Sequence, residues 1–291
     1  MKKLIFLLTA VISSAASLFG QSNVGISGTV NWESMRLNSE ITLDLVSSGI
    51  RLPAGRTQGE SLLSASYLYL ISPSLLEIRV DSSSTIADLI ERGELNLTQT
   101  EAIALGADKT PSSLSPDMRS MVSSCSISLE NISSALLSRN APVPVSRVMS
   151  PVSAARYTGI IIIAAESLPI HGMRGVALAV PCIFPKIWDS EMNLIYEKSM
   201  LEPRNIPMAR YSSYQNIFQD SPSGLSAELR KVAGDRPLRI FARGVFGINP
   251  TDLIIDREDA LIILSSDENR GLLSQGKVAI ILNESVLKKS F

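Results

Sequence analysis

A chain of 291 residues with 45% hydrophobic and 19% charged residues has the composition of a folded globular protein, and is long enough for one large or two modest domains. A formal net charge of −1 provides no basic excess to hold a phosphate backbone, and 5% aromatics is sparse for stacking on bases or sugar rings. A single histidine and two cysteines restrict zinc and triad chemistry to very few arrangements.

The first twenty residues differ in kind from the rest. Lys2 and Lys3 precede an apolar run, LIFLLTAVI, and then the small-residue stretch SSAASLFG. This is the layout of a secretory signal peptide, with cleavage expected after Gly20, or after Ala16 as second choice. The apolar run is too short for a comfortable bilayer span, although an uncleaved anchor helix is the alternative. No cysteine lies near it, so the lipobox of a lipid-anchored protein is missing. The expectation is a periplasmic protein with no stable membrane span in the mature chain. In an oxidising compartment Cys125 and Cys182 are candidates for a disulfide; the alternative is two buried thiols acting as small hydrophobes.

Residues 21–140 read as an N-terminal α+β region. NVGISGTVNW alternates loosely as a strand. MRLNSEITLDLVSSG alternates better, with Ile41, Leu43 and Leu45 on one face. From about Gly55 a helix is expected, with an apolar stripe of Leu62, Leu63, Tyr67, Leu70 and Ile71, stopped by Pro73. LLEIRVDSS predicts a further strand. SSSTIADLIERGEL carries a helix-start signature: Ser84 or Thr85 as cap, Asp88 in the first turn, Gly93 just past the end. LTQTEAIALGA repeats the scheme, ADKTPSSLSP predicts a surface loop, and MVSSCSISLENISSALLSR predicts a strand followed by a short helix.

Residues 141–156 are rich in proline and serine and read as a crossing. The second α+β region is residues 157–291. Its four consecutive isoleucines in YTGIIIIAAESLP predict a fully buried strand. FPKIWDSEMNLIYEKS predicts a hairpin turning at Asp189 to Asn193. LEPRNIPMARYSSYQNIFQDSPSG reads as irregular, LSAELRKVAG as a short helix, and RPLRIFARGVFG as one strand with Arg239 and Arg243 on the same face. The hairpins favour an α+β fold, with mixed, largely antiparallel sheets and packed short helices, over a doubly wound sheet.

The stretch TDLIIDREDALIILSSDENRGLLSQGKVAIIL gathers six carboxylates among aliphatics. They are spread over a strand (Leu253 to Ile255), a helix capped by Asp256 and supported by Asp259, a second helix capped by Asp267, and a last strand after Gly276. This spread suits helix caps and turns better than a metal or acid/base site. His171 and Cys182 are the weak candidates for a nucleophile pair, but Cys182 sits among Val180, Pro181, Ile183 and Phe184, where burial makes a thiol inert. Phosphate-loop, nucleophile-elbow and zinc motifs do not occur. The sequence therefore assigns no catalytic, cofactor or metal residues, and the expected protein is not an enzyme. Candidate binding residues are Arg239 and Arg243, in a basic cluster with Lys231 and Arg236, and Tyr211 and Tyr214 in the loop MARYSSYQNIFQ. A small ligand or an envelope polymer would suit them.

The runs TGIIIIAAESL and PKIWDSEMNLIYE resemble a block of exported bacterial proteins related to small outer-membrane lipoproteins and to the flagellar P and flagellar T assembly groups. PLRIFARGVFGINPTDLIIDREDALIILS and LLSQGKVAIIL are similar to the closing block of those proteins, and VDSSSTIADLIERGEL is similar to spirochaete members. The resemblance covers residues 155–291 and 75–95. It departs at the lipobox cysteine and at Met192, where the family hairpin usually carries glycine. It implies a non-enzymatic structural or assembly role, with envelope or flagellar proteins as partners and no nucleic acid.

Overall fold

The computed structural model describes residues 23–137, 142–148, 155–202 and 208–291. The signal-peptide segment and part of the proline-rich crossing, residues 141 and 149–154, lie outside the described residues. Among those described there are sixteen strands and eight α-helices, in mixed sheets that are mostly antiparallel, so the fold is α+β as expected.

The first half of the chain opens with β1 (Val24–Asn31) and β2 (Arg36–Asp44). Three helices follow: α1 (Arg56–Leu76), α2 (Ile86–Glu91) and α3 (Leu97–Leu105). Then come β3 (Asp108–Lys109), β4 (Ser113–Leu114), β5 (Ser120–Ser128) and α4 (Leu129–Leu136). The stretch expected to be a loop before β5 thus includes two short strands, β3 and β4. The second half contributes β6 (Ile160–Ala164), β7 (Ser167–Pro169), β8 (Val176–Leu178), β9 (Ile187–Asp189), β10 (Leu194–Tyr196) and β11 (Arg210–Ser213). After α5 (Ala227–Ala233) come β12 (Leu238–Phe241), β13 (Gly244–Phe246) and β14 (Asp252–Ile255). The chain closes with α6 (Arg257–Leu264), α7 (Asp267–Ser274), β15 (Val278–Leu282), α8 (Glu284–Leu287) and β16 (Lys288–Ser290).

Pro73 does not stop α1. Losing one amide hydrogen bond and crowding the preceding turn costs roughly 3 kcal/mol. Burying Ile71 and Leu75, both on the helix face around Pro73, offsets this at about 1.5–3 kcal/mol each. The helix therefore runs to Leu76, and the strand expected after Pro73 is reduced to a single bridge, Arg79 to Thr85. The α2 start follows the sequence closely. Thr85 accepts from the Asp88 amide, and the Asp88 carboxylate answers the Thr85 amide at 2.7 Å.

The chain divides into two compact units whose boundaries fall inside β1, β2, α1, β3 and β5. The first gathers the described residues up to Ser27, Ser39–Leu70 and Lys109–Cys125. Its core includes Ile41, Leu43, Leu45, Leu63, Tyr67, Met121 and Cys125, all buried. Gly59 lets α1 come close here, because a Cβ at that position would meet Met121 and Leu43 at 3.1–3.4 Å.

The second unit holds Gly28–Asn38, Ile71–Asp108 and the described residues from Ser126 to Phe291. One of its sheets, ordered β11-β15-β6-β12, is parallel throughout. The isoleucine run forms β6, flanked by β15 and β12, and every residue of β6 and β15 is buried. A strand covered on both faces can be apolar at consecutive positions, which is why the run does not alternate. Helix α5 packs on this sheet through Leu229 and Ala233, against Ile161, Ile163 and Ile281. A second sheet, β10-β9-β14-β13, contains the expected hairpin. Its turn puts Met192 at φ 62, the left-handed conformation that glycine adopts most readily.

The stretch RPLRIFARGVFG is not one strand. Ala242 N–H still donates to Ile163 O, beside β6, whereas Arg243 N–H donates to Ile254 O, beside β14. The chain changes sheets between these two residues, so β12 and β13 belong to different sheets.

Candidate functional site

The acids of the C-terminal stretch serve the fold, though not all in the expected ways. Asp252 is 1% exposed and accepts four hydrogen bonds: from Ser82 Oγ (3.1 Å), Thr251 Oγ1 (3.2 Å), Trp188 Nε1 (3.3 Å) and the Lys186 amide (3.3 Å). Burial pushes its carboxyl up, and these donors pull it down by less. Asp256 occupies the position before α6 but makes no capping bond. Its carboxylate is taken by Arg243 Nε at 2.7 Å. The second cap is Ser266, not Asp267: its Oγ accepts the Asn269 amide, and Asp267 stands in the first turn of α7. Gly276, at φ 65, follows the end of that helix as expected.

Asp189, in the hairpin turn, is 0% exposed and accepts five hydrogen bonds. Three come from the Asn193 amide and side chain and one from the Glu191 amide. The fifth comes from Arg257 Nη1 at 2.6 Å. Burial alone would raise this carboxyl, but the donors outweigh it and hold the group below its ordinary value of 3.8. The last motif residue of the hairpin, Tyr196, is buried and donates to Met208 O at 2.9 Å.

Cys125 and Cys182 are both free and buried. Burial, with the charge of Asp252 added, pushes the Cys182 thiol up. His171 is exposed and rests its ring edge-on against Phe246 at 5.9 Å. Tyr211, expected at a binding surface, is 4% exposed. Its hydroxyl donates to Cys182 O at 2.7 Å and accepts the Cys182 amide at 3.2 Å. Tyr214 is exposed and packs against Phe218 with ring centroids 4.8 Å apart. Arg239 reaches Ser223 O at 2.7 Å, while Arg243 pairs with Asp256; the change of sheet separates the two arginines.

A cavity of about 530 Å³ lies elsewhere in the second unit, between the β1–β2 turn, β11 and α5. Ligand sites typically occupy about 300–1,000 Å³. The turn is locked locally: Asn31 Oδ1 accepts the amides of Glu33 and Ser34, and Met35 takes φ 52. Trp32 packs edge-on against Tyr211 at 5.9 Å, and Glu33 Oε1 accepts the Ser213 amide at 3.1 Å and Asn216 Nδ2 at 3.4 Å. Arg210 enters the lining with Nη2 bound to Glu130 at 2.6 Å. Glu228 and Lys231 line the opposite side from α5. Of the candidates read from sequence, Tyr211 lines the cavity, with Lys231 from the basic cluster. Glu33, Arg210 and Asn216 were missed. Arg210 and Asn216 lie in the same segment as Tyr211 and so carried a local signal; Glu33 carried none.

No helix among the described residues is long and apolar enough to cross a membrane. No curated protein matches the chain. Residues 23–135 match the family model of the N-terminal domain of Treponema pallidum Tp0624, and residues 159–284 match the model of its second domain. The two matches follow in the order of the domains they represent and together cover well over half of the sequence. The chain therefore belongs to the spirochaete-like family defined by these two Tp0624 domains.

Proposed function

We propose that the protein is an exported envelope component with a non-enzymatic structural or assembly role, of the kind associated with flagella and small outer-membrane lipoproteins. The observation that carries this reading is the use made of Asp189 and Asp252. A general acid or base needs an oxygen facing its substrate. The oxygens of these two carboxylates are instead engaged by nine hydrogen bonds from the fold. The signal-like segment ahead of both matched domains supports export. Cell fractionation combined with a crosslinked pull-down tests the reading. Recovery from the periplasm with envelope or flagellar proteins supports it. A cytoplasmic location overturns it, as does a catalytic turnover abolished by one point mutation.

The cavity favours a second reading, a binding module for a small ligand or envelope polymer. Filling it with Val232→Trp removes binding if the cavity is the site, and leaves binding unchanged if it is not.

A further inference from the structure

The geometry points to a zwitterion as the ligand of this cavity, an amino acid or short peptide with a free ammonium and a free carboxylate; this rests on the binding-module reading. Among the described residues, Glu33 Oε2 and Asn216 Oδ1 have no protein partner, so the wall formed by the β1–β2 turn and the turn after β11 presents acceptors to a cationic donor. On α5, Lys231 makes no ion pair among the described residues and suits a carboxylate.

Other ligand classes fit less well. A simple anion would face Glu33 and Glu228, with Arg210 already neutralised by Glu130. A metal ion would need more ligands: the described residues contain no cluster of three or more His, Cys, Asp or Glu side chains able to hold one. A neutral sugar would leave Glu33 and Lys231 desolvated without partners, which is costly. Its ring would also lack a platform, because Tyr211 is the one aromatic in the described lining and is buried against Trp32.

Isothermal titration of the full chain tests this with four probes: L-alanyl-L-alanine, its N-acetyl form, its C-terminal amide and N-acetylglucosamine. The free dipeptide is expected to bind best, with each blocked terminus weakening it about tenfold or more, the scale of a lost charge-assisted hydrogen bond. Glu33→Gln, which keeps an acceptor for the Ser213 amide, is expected to abolish the penalty for acetylation. Lys231→Met is expected to abolish the penalty for amidation. Melting curves confirm that both variants fold. Equal affinity for free and blocked dipeptides, or tighter binding of the sugar, overturns the zwitterion. The cavity then stands as a site only if Val232→Trp removes that binding. Binding by none of the four probes overturns the zwitterion and the binding-module reading together.

Discussion

Asp189 and Asp252 are almost wholly buried and have their oxygens filled by donors from the fold, whereas Glu33 Oε2, Glu228 and Lys231 line a cavity with valences left open among the described residues. Both groups belong to the second unit and use the same few residue types. What separates them is desolvation. A carboxylate removed from water costs several kcal/mol unless donors replace the lost hydration, so a buried acid that persists is one the fold has answered. Near the cavity mouth water can do the answering, and side chains remain free to meet something else. Charge density along a sequence therefore does not locate chemistry; the occupancy of each oxygen does.

Removing the buried acids should break this contrast most forcefully. Asp189→Ala leaves Arg257 without its short partner and strips the turn amides of their acceptor. A loss of about 3–5 kcal/mol in urea unfolding is expected. Asp252→Ala should cost less, about 2 kcal/mol, because relief from burying a charge offsets part of the four lost bonds. The two also differ in pH dependence. The Asp189 carboxyl is lowered in the folded state, so its contribution is present above the ordinary carboxylate pKa and disappears as pH falls through the folded value. The Asp252 carboxyl is raised, so its contribution is greatest below the ordinary pKa and declines as pH rises through the folded value. Unfolding of Asp189→Asn and Asp252→Asn across pH 3–7 should show the advantage of wild type shrinking on acidification for the first and growing for the second. The same trend in both would undo the distinction.

The neighbourhood of Asp252 can be disturbed without touching its charge. Gly247 has φ 107, and a Cβ there would collide with Ser82, one of the Asp252 donors. Gly247→Ala should cost roughly 2 kcal/mol, from strain and a displaced donor. A melting temperature equal to wild type would mean that the Ser82 contact is expendable.

Much of the secondary structure was legible because local rules govern it. The α2 capping box, the Gly93 and Gly276 helix ends, the buried isoleucine strand and the Asp189 hairpin all follow from residue type and spacing. The misreadings arise where distant partners decide. Asp256 stands at a cap position, but Arg243, between β12 and β13, takes its carboxylate. Pro73 should end a helix, but the burial of Ile71 and Leu75 carries the helix through. Tyr211 reads as a surface aromatic until Cys182 and Trp32 enclose it. The cavity was least legible of all, since Glu33 and Asn216 are far apart in sequence and Lys231 belongs to a third segment.

The helix caps allow a finer comparison. Ser266 makes a real capping bond, so Ser266→Ala should cost about 1 kcal/mol. Asp256 holds only a half-exposed ion pair, so Asp256→Ala should cost under about 1 kcal/mol, with the difference shrinking in high salt. A larger loss for Asp256 than for Ser266, measured by urea unfolding in low salt, would restore Asp256 as the cap.

The smallest stability effect is expected at Lys231. Its side chain is exposed and makes no ion pair among the described residues, so Lys231→Met should change unfolding by no more than about 0.5 kcal/mol. That near-silence matters because it separates the two regions in one measurement. A residue the fold has answered shows its role in stability, whereas a residue the fold leaves open shows it only when a ligand is present. If Lys231→Met proves strongly destabilising, Lys231 has a structural partner after all and belongs with Asp189 and Asp252. If it is neutral in unfolding yet removes the discrimination between a free and an amidated dipeptide, its charge is held for a partner outside the chain.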